Sequence, residues 1–158
     1  MLVRGPSTSP YYWRRPELTE QRMQDGWFHS GDKYSMDQDG YYWYAGRSDD
    51  MFRVSGQWVS PIEVESALAE HDLVLEAAVI PHEEASGLVS TLAFVVLKNG
   101  GTVTPELIPE LQAFVKQRIT PYKYPRRIEF LDELPKNAAG KLLRYRLREL
   151  DRSRICQA

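Results

Sequence analysis

The chain has 158 residues, 42% of them hydrophobic, and its 20 basic side chains against 22 acidic ones leave a net charge of −2. That length suits one domain, or one domain plus part of another. The charge balance excludes the overall basic field that draws a protein onto nucleic acid or anionic lipid, and no apolar run reaches the roughly 18 to 20 residues of a membrane span. A single cysteine, Cys156, rules out an intramolecular disulfide framework and suits a reducing, cytoplasmic setting. Met1-Leu2-Val3-Arg4-Gly5-Pro6 lacks the basic-then-apolar build of a signal peptide. It reads as a strand and turn entered mid-fold, so the chain is expected to be part of something longer.

Residues 1–48 are rich in turns and aromatics. Gly5-Pro6-Ser7, Asp25-Gly26 and Asp39-Gly40 are turn signals. Asp37-Gln38-Asp39-Gly40 before Tyr41-Tyr42-Trp43-Tyr44 predicts a hairpin tip entering a strand. Trp27-Phe28-His29 and Lys33-Tyr34-Ser35-Met36 predict further short strands, with a helical turn near 16–24. Tyr41 to Tyr44 are expected to form hairpin core rather than a base-stacking platform. The segment is too short to bury all its apolar surface, which should seek a partner.

A small acidic joint at 48–50 leads into a second strand-like run broken by Gly56. Ser60, Pro61 and Glu63 then predict a capping box with a proline start, on a helix whose amphipathic run uses Ile62, Glu65, Leu68 and Ala69 and ends near His71. A strand is predicted over 73–80, ended by Pro81. The continuous apolar run Leu92 to Leu97 predicts a buried strand, and Asn99-Gly100-Gly101 a turn. A second helix from Thr104-Pro105, delayed or kinked by Pro109, should bury Leu111, Phe114, Val115 and Ile119. Pro121 to Pro125 resists helix because each residue before a proline is pushed to extended geometry. Arg127 to Leu131 alternates as a third strand, and a basic helix is expected over about 142–150. The order β-α-β-β-α-β-α from 50 onward gives an α+β fold: a small domain with a short mixed sheet flanked by helices, preceded by β-hairpins.

Taken by itself, Pro135-Lys136-Asn137-Ala138-Ala139-Gly140-Lys141 invites a phosphate-loop reading, which fails because Pro135 stands where a glycine is needed and Leu142 where Ser or Thr is needed. The loop still combines small residues, which admit a ligand to the backbone, with a compact cation ahead of a helix. Gly31-Asp32 suits either ribose hydroxyls or the capping of a turn. His29, His71 and His82 have no metal-ligand spacing, so no metal site is expected. The terminal arginines Arg144, Arg146, Arg148, Arg152 and Arg154, interspersed with Glu149 and Asp151, read as a solvated helix face.

Three stretches in this order carry more weight together than apart. Gly26-Trp27-Phe28-His29-Ser30-Gly31-Asp32, then Tyr44 to Glu65 with Gly46-Arg47-Ser48-Asp49-Asp50, then Pro135 to Lys141 resemble consecutive signature motifs of the AMP-forming, adenylating enzymes: acyl-CoA synthetases, peptide-synthetase adenylation domains and luciferases. The resemblance covers nearly the whole chain. It implies that 1–48 is the tail of a large N-terminal domain, that Asp49 is a hinge, and that 49–158 is the small mobile C-terminal domain. Gly31-Asp32-Lys33-Tyr34 and Val54-Ser55-Gly56-Gln57-Trp58-Val59-Ser60-Pro61 look most like benzoate–CoA ligases and their aryl-acid relatives.

That resemblance implies a two-step reaction. A carboxylate attacks the α-phosphate of ATP, giving acyl-adenylate and pyrophosphate, and CoA thiol then gives thioester and AMP; Mg2+ accompanies ATP. It assigns Asp32 to the ribose hydroxyls, Arg47 to the nucleotide, and Lys141 to the carboxylate and α-phosphate, where a fixed cation acts mainly in the transition state. It assigns Ser55, Gly56 and Gln57 to the CoA face, and gives 122–127 a part in holding the CoA nucleotide. Trp58 stands where some members carry a basic residue, so a phosphate role there is not expected. A phosphate loop and an acid pocket do not occur in these 158 residues; the family carries both upstream, so the chain alone is expected to be inactive. The partners implied are a carboxylic acid, ATP, CoA, the N-terminal domain and a lysine acetyltransferase acting on Lys141. Two other readings stay open: an adenylation domain serving a carrier protein, and a non-catalytic interaction module.

Overall fold

The computed structural model describes residues 1–98 and 101–155; Asn99 and Gly100 of the turn predicted at Asn99-Gly100-Gly101, and the cysteine at 156, lie outside the described residues. The chain divides into two compact units, Met1–Asp49 and Asp50–Ala158, and each is described by itself.

The first unit is a set of short antiparallel pairings around one small helix. Strand β1 (Leu2–Val3) pairs with β3 (Trp27–His29), which also pairs with β2 (Met23–Gln24); helix α1 (Pro16–Arg22) runs directly into β2. A separate hairpin joins β4 (Asp32–Met36) to β5 (Tyr42–Arg47), with a register shift between Lys33 and Tyr34. The tip is fixed by Asp37, whose carboxylate accepts hydrogen bonds from the amides of Asp39 and Tyr41 and, at 2.6 Å, from the Trp43 indole. Gly40 closes it with φ +85°, a conformation that glycine adopts without steric cost. The expectation that Tyr41 to Tyr44 form hairpin core is overturned: Tyr41, Tyr42 and Trp43 are each more than 60% exposed. A two-stranded ribbon has no interior of its own, so its aromatics stay outside until something else covers them.

The second unit opens on a tight hairpin, β6 (Phe52–Val54) and β7 (Gln57–Val59). It leads into helix α2 (Pro61–Ala69), and then β8 (Val74–Glu83), β9 (Val89–Leu97), α3 (Leu107–Arg118), a 3-10 turn (Pro121–Lys123), β10 (Arg127–Phe130) and α4 (Arg144–Ile155). The sheet order is β10-β9-β8, with β8 antiparallel and β10 parallel to β9, a short mixed sheet as expected. Central strand β9 is covered on both faces, which explains its unbroken apolar run. Ala93 and Val95 join a core with Val64, Leu68, Leu111 and Val115 from α2 and α3, while Leu92, Phe94 and Val96 pack with Leu134 and Leu147 of α4.

Several local readings are corrected. Pro81 does not end its strand; β8 runs through it to Glu83, with Pro81 opposite Thr91, because an edge strand tolerates a residue that donates no ladder hydrogen bond. The buried stripe of α2 is Val64, Ala67 and Leu68, and Ala69 is exposed. Pro61 sits in the first turn of α2 as predicted, but Ser60 makes no side-chain cap to the helix, and the Glu63 carboxylate binds Lys123 Nζ at 2.7 Å. Pro109 falls in the first turn of α3, where no intrahelical partner for its nitrogen is required, so the helix begins at Leu107 without a break. Helix α4 starts two residues later than expected and runs on to Ile155.

Candidate functional site

The predicted site residues fall into two groups, one in each unit. In the first, Asp32 and Arg47 are directly opposed on β4 and β5, so the pairing register itself brings the carboxylate and guanidinium together, with Arg47 Nη1 3.5 Å from Asp32 Oδ1. The other terminal nitrogen of Arg47 lies 3.5 Å from Asp49 Oδ2. Arg22, at the end of α1, shares that oxygen at 3.3 Å and donates to the His29 carbonyl. Ser30 Oγ receives the Asp32 amide, and the Ser48 amide bonds the Gly31 carbonyl. Two arginines and two carboxylates therefore form an alternating chain at the mouth of the β4–β5 hairpin. Gly31 has φ +77°, and a Cβ there would come within 2.4 Å of Arg22 Nη1. Arg22 was not singled out from sequence. It is drawn in by the end of α1, a position that no local motif marks.

The second group lies on two loops. Ser55 (φ 50°) and Gly56 (φ 81°) are the two central residues of the β6–β7 turn, the doubly left-handed geometry that matches strand twist in a two-residue hairpin. A Cβ at Gly56 would meet nothing within 4 Å, so glycine is required there by backbone conformation and the space around it stays open. Ser55, Gly56 and Gln57 are all exposed. The hairpin is braced from below: Tyr122 Oη donates to the Trp58 carbonyl at 3.0 Å, and the Arg53 guanidinium stacks 4.6 Å from the Trp58 ring centroid.

Lys141 stands at the end of a closed loop. Asn137 Oδ1 accepts from the amides of Ala139 (3.0 Å) and Lys141 (2.8 Å), while the Asn137 amide donates to the Lys141 carbonyl (2.9 Å). Lys136 and Leu142 form an antiparallel bridge across the base. Gly140 provides the left-handed residue at φ 77°. The loop is thus shaped by an asparagine turn and not by phosphate-seeking amides. Lys141 itself is exposed, and a short, rigid loop carrying an exposed ammonium is suited to presenting one positive charge at a fixed place. In the stretch 122–127, Lys123 is committed to Glu63, while Arg127 donates to His82 and binds Glu129, so these cations already have internal partners. His82 is buried against Asp151, and among the described residues no group of three or more His, Cys, Asp or Glu gathers as a metal site.

Arg144 departs most from expectation. The sequence pattern places it on a solvated arginine face, yet its side chain is 15% exposed and grips Glu65 with both ends of the guanidinium, at 2.5 and 2.9 Å. The signal was present in the spacing of Arg144, Leu147, Arg148 and Asp151, which share one helix face, but charged residues on that stripe hid it.

A mixed three-stranded sheet with helices on both faces, carrying a lysine loop just before its last helix, matches the small C-terminal domain of adenylating enzymes. The AMP-binding enzyme C-terminal domain family matches residues 63–141, and the chain belongs to that family. It is 53% identical over 148 residues to a benzoate–CoA ligase of Thauera aromatica and 49% identical over 151 residues to a 4-hydroxybenzoate–CoA/benzoate–CoA ligase of Rhodopseudomonas palustris; these alignments cover 94% and 95% of the chain. The chain spans 28% of the length of each of these relatives. Among solved structures it is similar to an anthranilate CoA ligase crystallised with anthranoyl-AMP (TM-score 0.90, 45% identity, covering 95% of this chain and 29% of that one). It is also similar to a benzoate CoA ligase from Burkholderia xenovorans (TM-score 0.85, 49% identity, 93% and 29%). No helix among the described residues is long and apolar enough to cross a membrane.

Proposed function

We propose that the chain is the C-terminal part of an ATP-dependent, AMP-forming aryl acid–CoA ligase, with benzoate or a close relative as its acid. The observation that carries this is the loop at 137–141, which holds an exposed lysine at the end of a hydrogen-bonded arch, in a chain half identical to benzoate–CoA ligases. In the adenylation step Lys141 would meet the acid carboxylate and the α-phosphate, where negative charge concentrates in the transition state, and a prepositioned cation lowers that barrier more than it tightens ground-state binding. Asp32 would hold the ribose hydroxyls and Arg47 the nucleotide; their mutual pairing keeps both side chains oriented before the ligand arrives.

Asp49 would serve as the hinge about which 50–158 turns after adenylation, withdrawing Lys141 and presenting Ser55, Gly56 and Gln57 to CoA. The open space around Gly56 suits passage of a narrow pantetheine arm. ATP and CoA are substrates in this reading. Mg2+ would accompany ATP in the full-length enzyme; the described residues of this chain gather no ligand set for it. A cytoplasmic setting belongs to the same proposal. So does acetylation of Lys141, whose exposure leaves the ammonium open to a transferase and whose charge the modification removes.

The test is a pair of assays. The full-length protein carrying this chain should form benzoyl-CoA and AMP from benzoate, ATP and CoA. The 158-residue chain alone should show no benzoate-dependent ATP–pyrophosphate exchange. Exchange by the isolated chain, or no thioester from the full-length protein with any aryl acid, would overturn the reading.

A further inference from the structure

Both ends of the Lys141 loop are anchored to the same strand. At its entrance, Lys136 Nζ binds Glu76 Oε2 on β8 at 2.5 Å. At its exit, Leu143 returns its amide to the Pro135 carbonyl at 2.8 Å, and α4 begins at Arg144. The guanidinium of Arg144 then donates to the Val79 carbonyl on β8 at 2.9 Å and to both oxygens of Glu65 on α2. Glu65 in turn accepts the Val79 amide at 2.7 Å. A single residue of β8 is thus bracketed through its own amide and carbonyl by the two halves of one ion pair, both 15% exposed. A bidentate Arg–carboxylate pair in this setting fixes geometry in a way that a lysine on a flexible stem does not.

The same guanidinium has a third neighbour. Its Nε lies 3.6 Å from Asp50 Oδ2, and Arg148 Nη2 lies 3.5 Å from the other Asp50 oxygen. Asp50 is the residue at which the second unit begins, and it follows Asp49 in the chain. Arg144 therefore touches the first residue of its unit while standing three positions beyond Lys141.

We propose that Arg144 is a positioning residue for Lys141: it ties the exit of the lysine loop to Glu65, Val79 and Asp50, so that the reach of the ammonium is set from the start of the unit. This rests on the ligase reading above. In this role Arg144 acts through the loop backbone and not on the substrate itself. Its loss frees the exit of the loop, and a displacement of about 1 Å at a reacting centre costs on the order of 100-fold in rate.

The experiment uses the full-length protein and separates the half-reactions: benzoate-dependent ATP–pyrophosphate exchange, and thioester formation from supplied benzoyl-adenylate and CoA. Arg144→Ala should lower kcat for exchange by roughly 10- to 100-fold, with KM for ATP and the thioester half-reaction within about twofold of wild type, and Arg144→Lys should recover only part of the loss. Glu65→Gln keeps the volume and the Val79 hydrogen bond while removing the charge, and should lower exchange several-fold. It decides the matter should Arg144→Ala fail to fold. Lys141→Ala is assayed in parallel. If it abolishes exchange while folded Arg144 and Glu65 variants retain it, the positioning role is wrong and the ligase reading stands. Equal loss of both half-reactions in those variants also overturns the positioning role, by reducing it to stability. Undiminished exchange in Lys141→Ala overturns the ligase reading and the inference with it.

Discussion

His82 and Asp151, 69 residues apart in sequence, share a buried contact in which His82 Nδ1 lies 2.9 and 3.0 Å from the two Asp151 oxygens. On the far side of the ring, Nε2 faces Arg127 Nη1 at 3.1 Å. A guanidinium can only donate, so Nε2 must accept and the ring hydrogen sits on Nδ1, directed at the carboxylate. The triad pins α4 to β8 and β10, and Arg127 and Arg154 extend it to Glu129.

Asp151→Ala should therefore destabilise the protein by about 2 to 4 kcal/mol, because it leaves a buried imidazole N–H without an acceptor. Asp151→Asn, which keeps an acceptor oxygen, should cost less. Urea denaturation of the two variants checks the order. Nitrogen chemical shifts of the His82 ring report the tautomer directly, with hydrogen on Nδ1 expected.

A pH dependence follows at the other end of the chain. Asp37 is held below the ordinary aspartate value, first by the Trp43 indole N–H and then by the Tyr41 amide, while partial desolvation opposes them. A depressed carboxylate stabilises the folded hairpin fully above the ordinary aspartate value, and that contribution is lost as pH falls through the lower folded value. The β4–β5 tip should loosen on acidification, seen as loss of the downfield Trp43 indole proton signal. Asp37→Asn should remove the pH dependence of that signal.

Backbone conformation alone decides the next outcome. Gly56 has φ 81° and open space where a Cβ would go. Gly56→Val should cost on the order of 1 to 2 kcal/mol through left-handed strain, and Gly56→Asn clearly less, since asparagine visits that region more readily. Thermal melts test this ranking. In the proposed enzyme, Gly56→Val should depress thioester formation more than adenylation, because the obstruction would lie on the CoA face.

Much of this was legible from residue order. The buried run Leu92 to Leu97, the proline-led helix at 61 and the hairpin tip at Asp37 each announce themselves through local chemistry. Asp32 and Arg47 were named from motifs, and their opposition across two strands follows once the hairpin register is set by the turn. What was hidden depends on distant partners. Ser60 reads as a side-chain cap yet makes no such bond to α2, and the Glu63 carboxylate finds Lys123, 60 residues on. Arg144 looked like a solvated charge until α4 packed its face onto Glu65 and Val79. Pro81 looked like a strand end because a single sequence does not show that β8 lies at a sheet edge, where proline is harmless. The aromatic density of Tyr41 to Tyr44 suggests core, although a lone ribbon has nowhere to bury it.

In the proposed enzyme Lys141 delivers charge to the adenylation step and is absent from the thioester step. Lys141→Ala in the full-length protein, assayed on each half-reaction separately, tests it most directly. A loss of about 100-fold or more is expected in benzoate-dependent ATP–pyrophosphate exchange, with thioester formation from preformed benzoyl-adenylate close to wild type. Exchange at the wild-type rate, or an equal fall in both half-reactions, would contradict it.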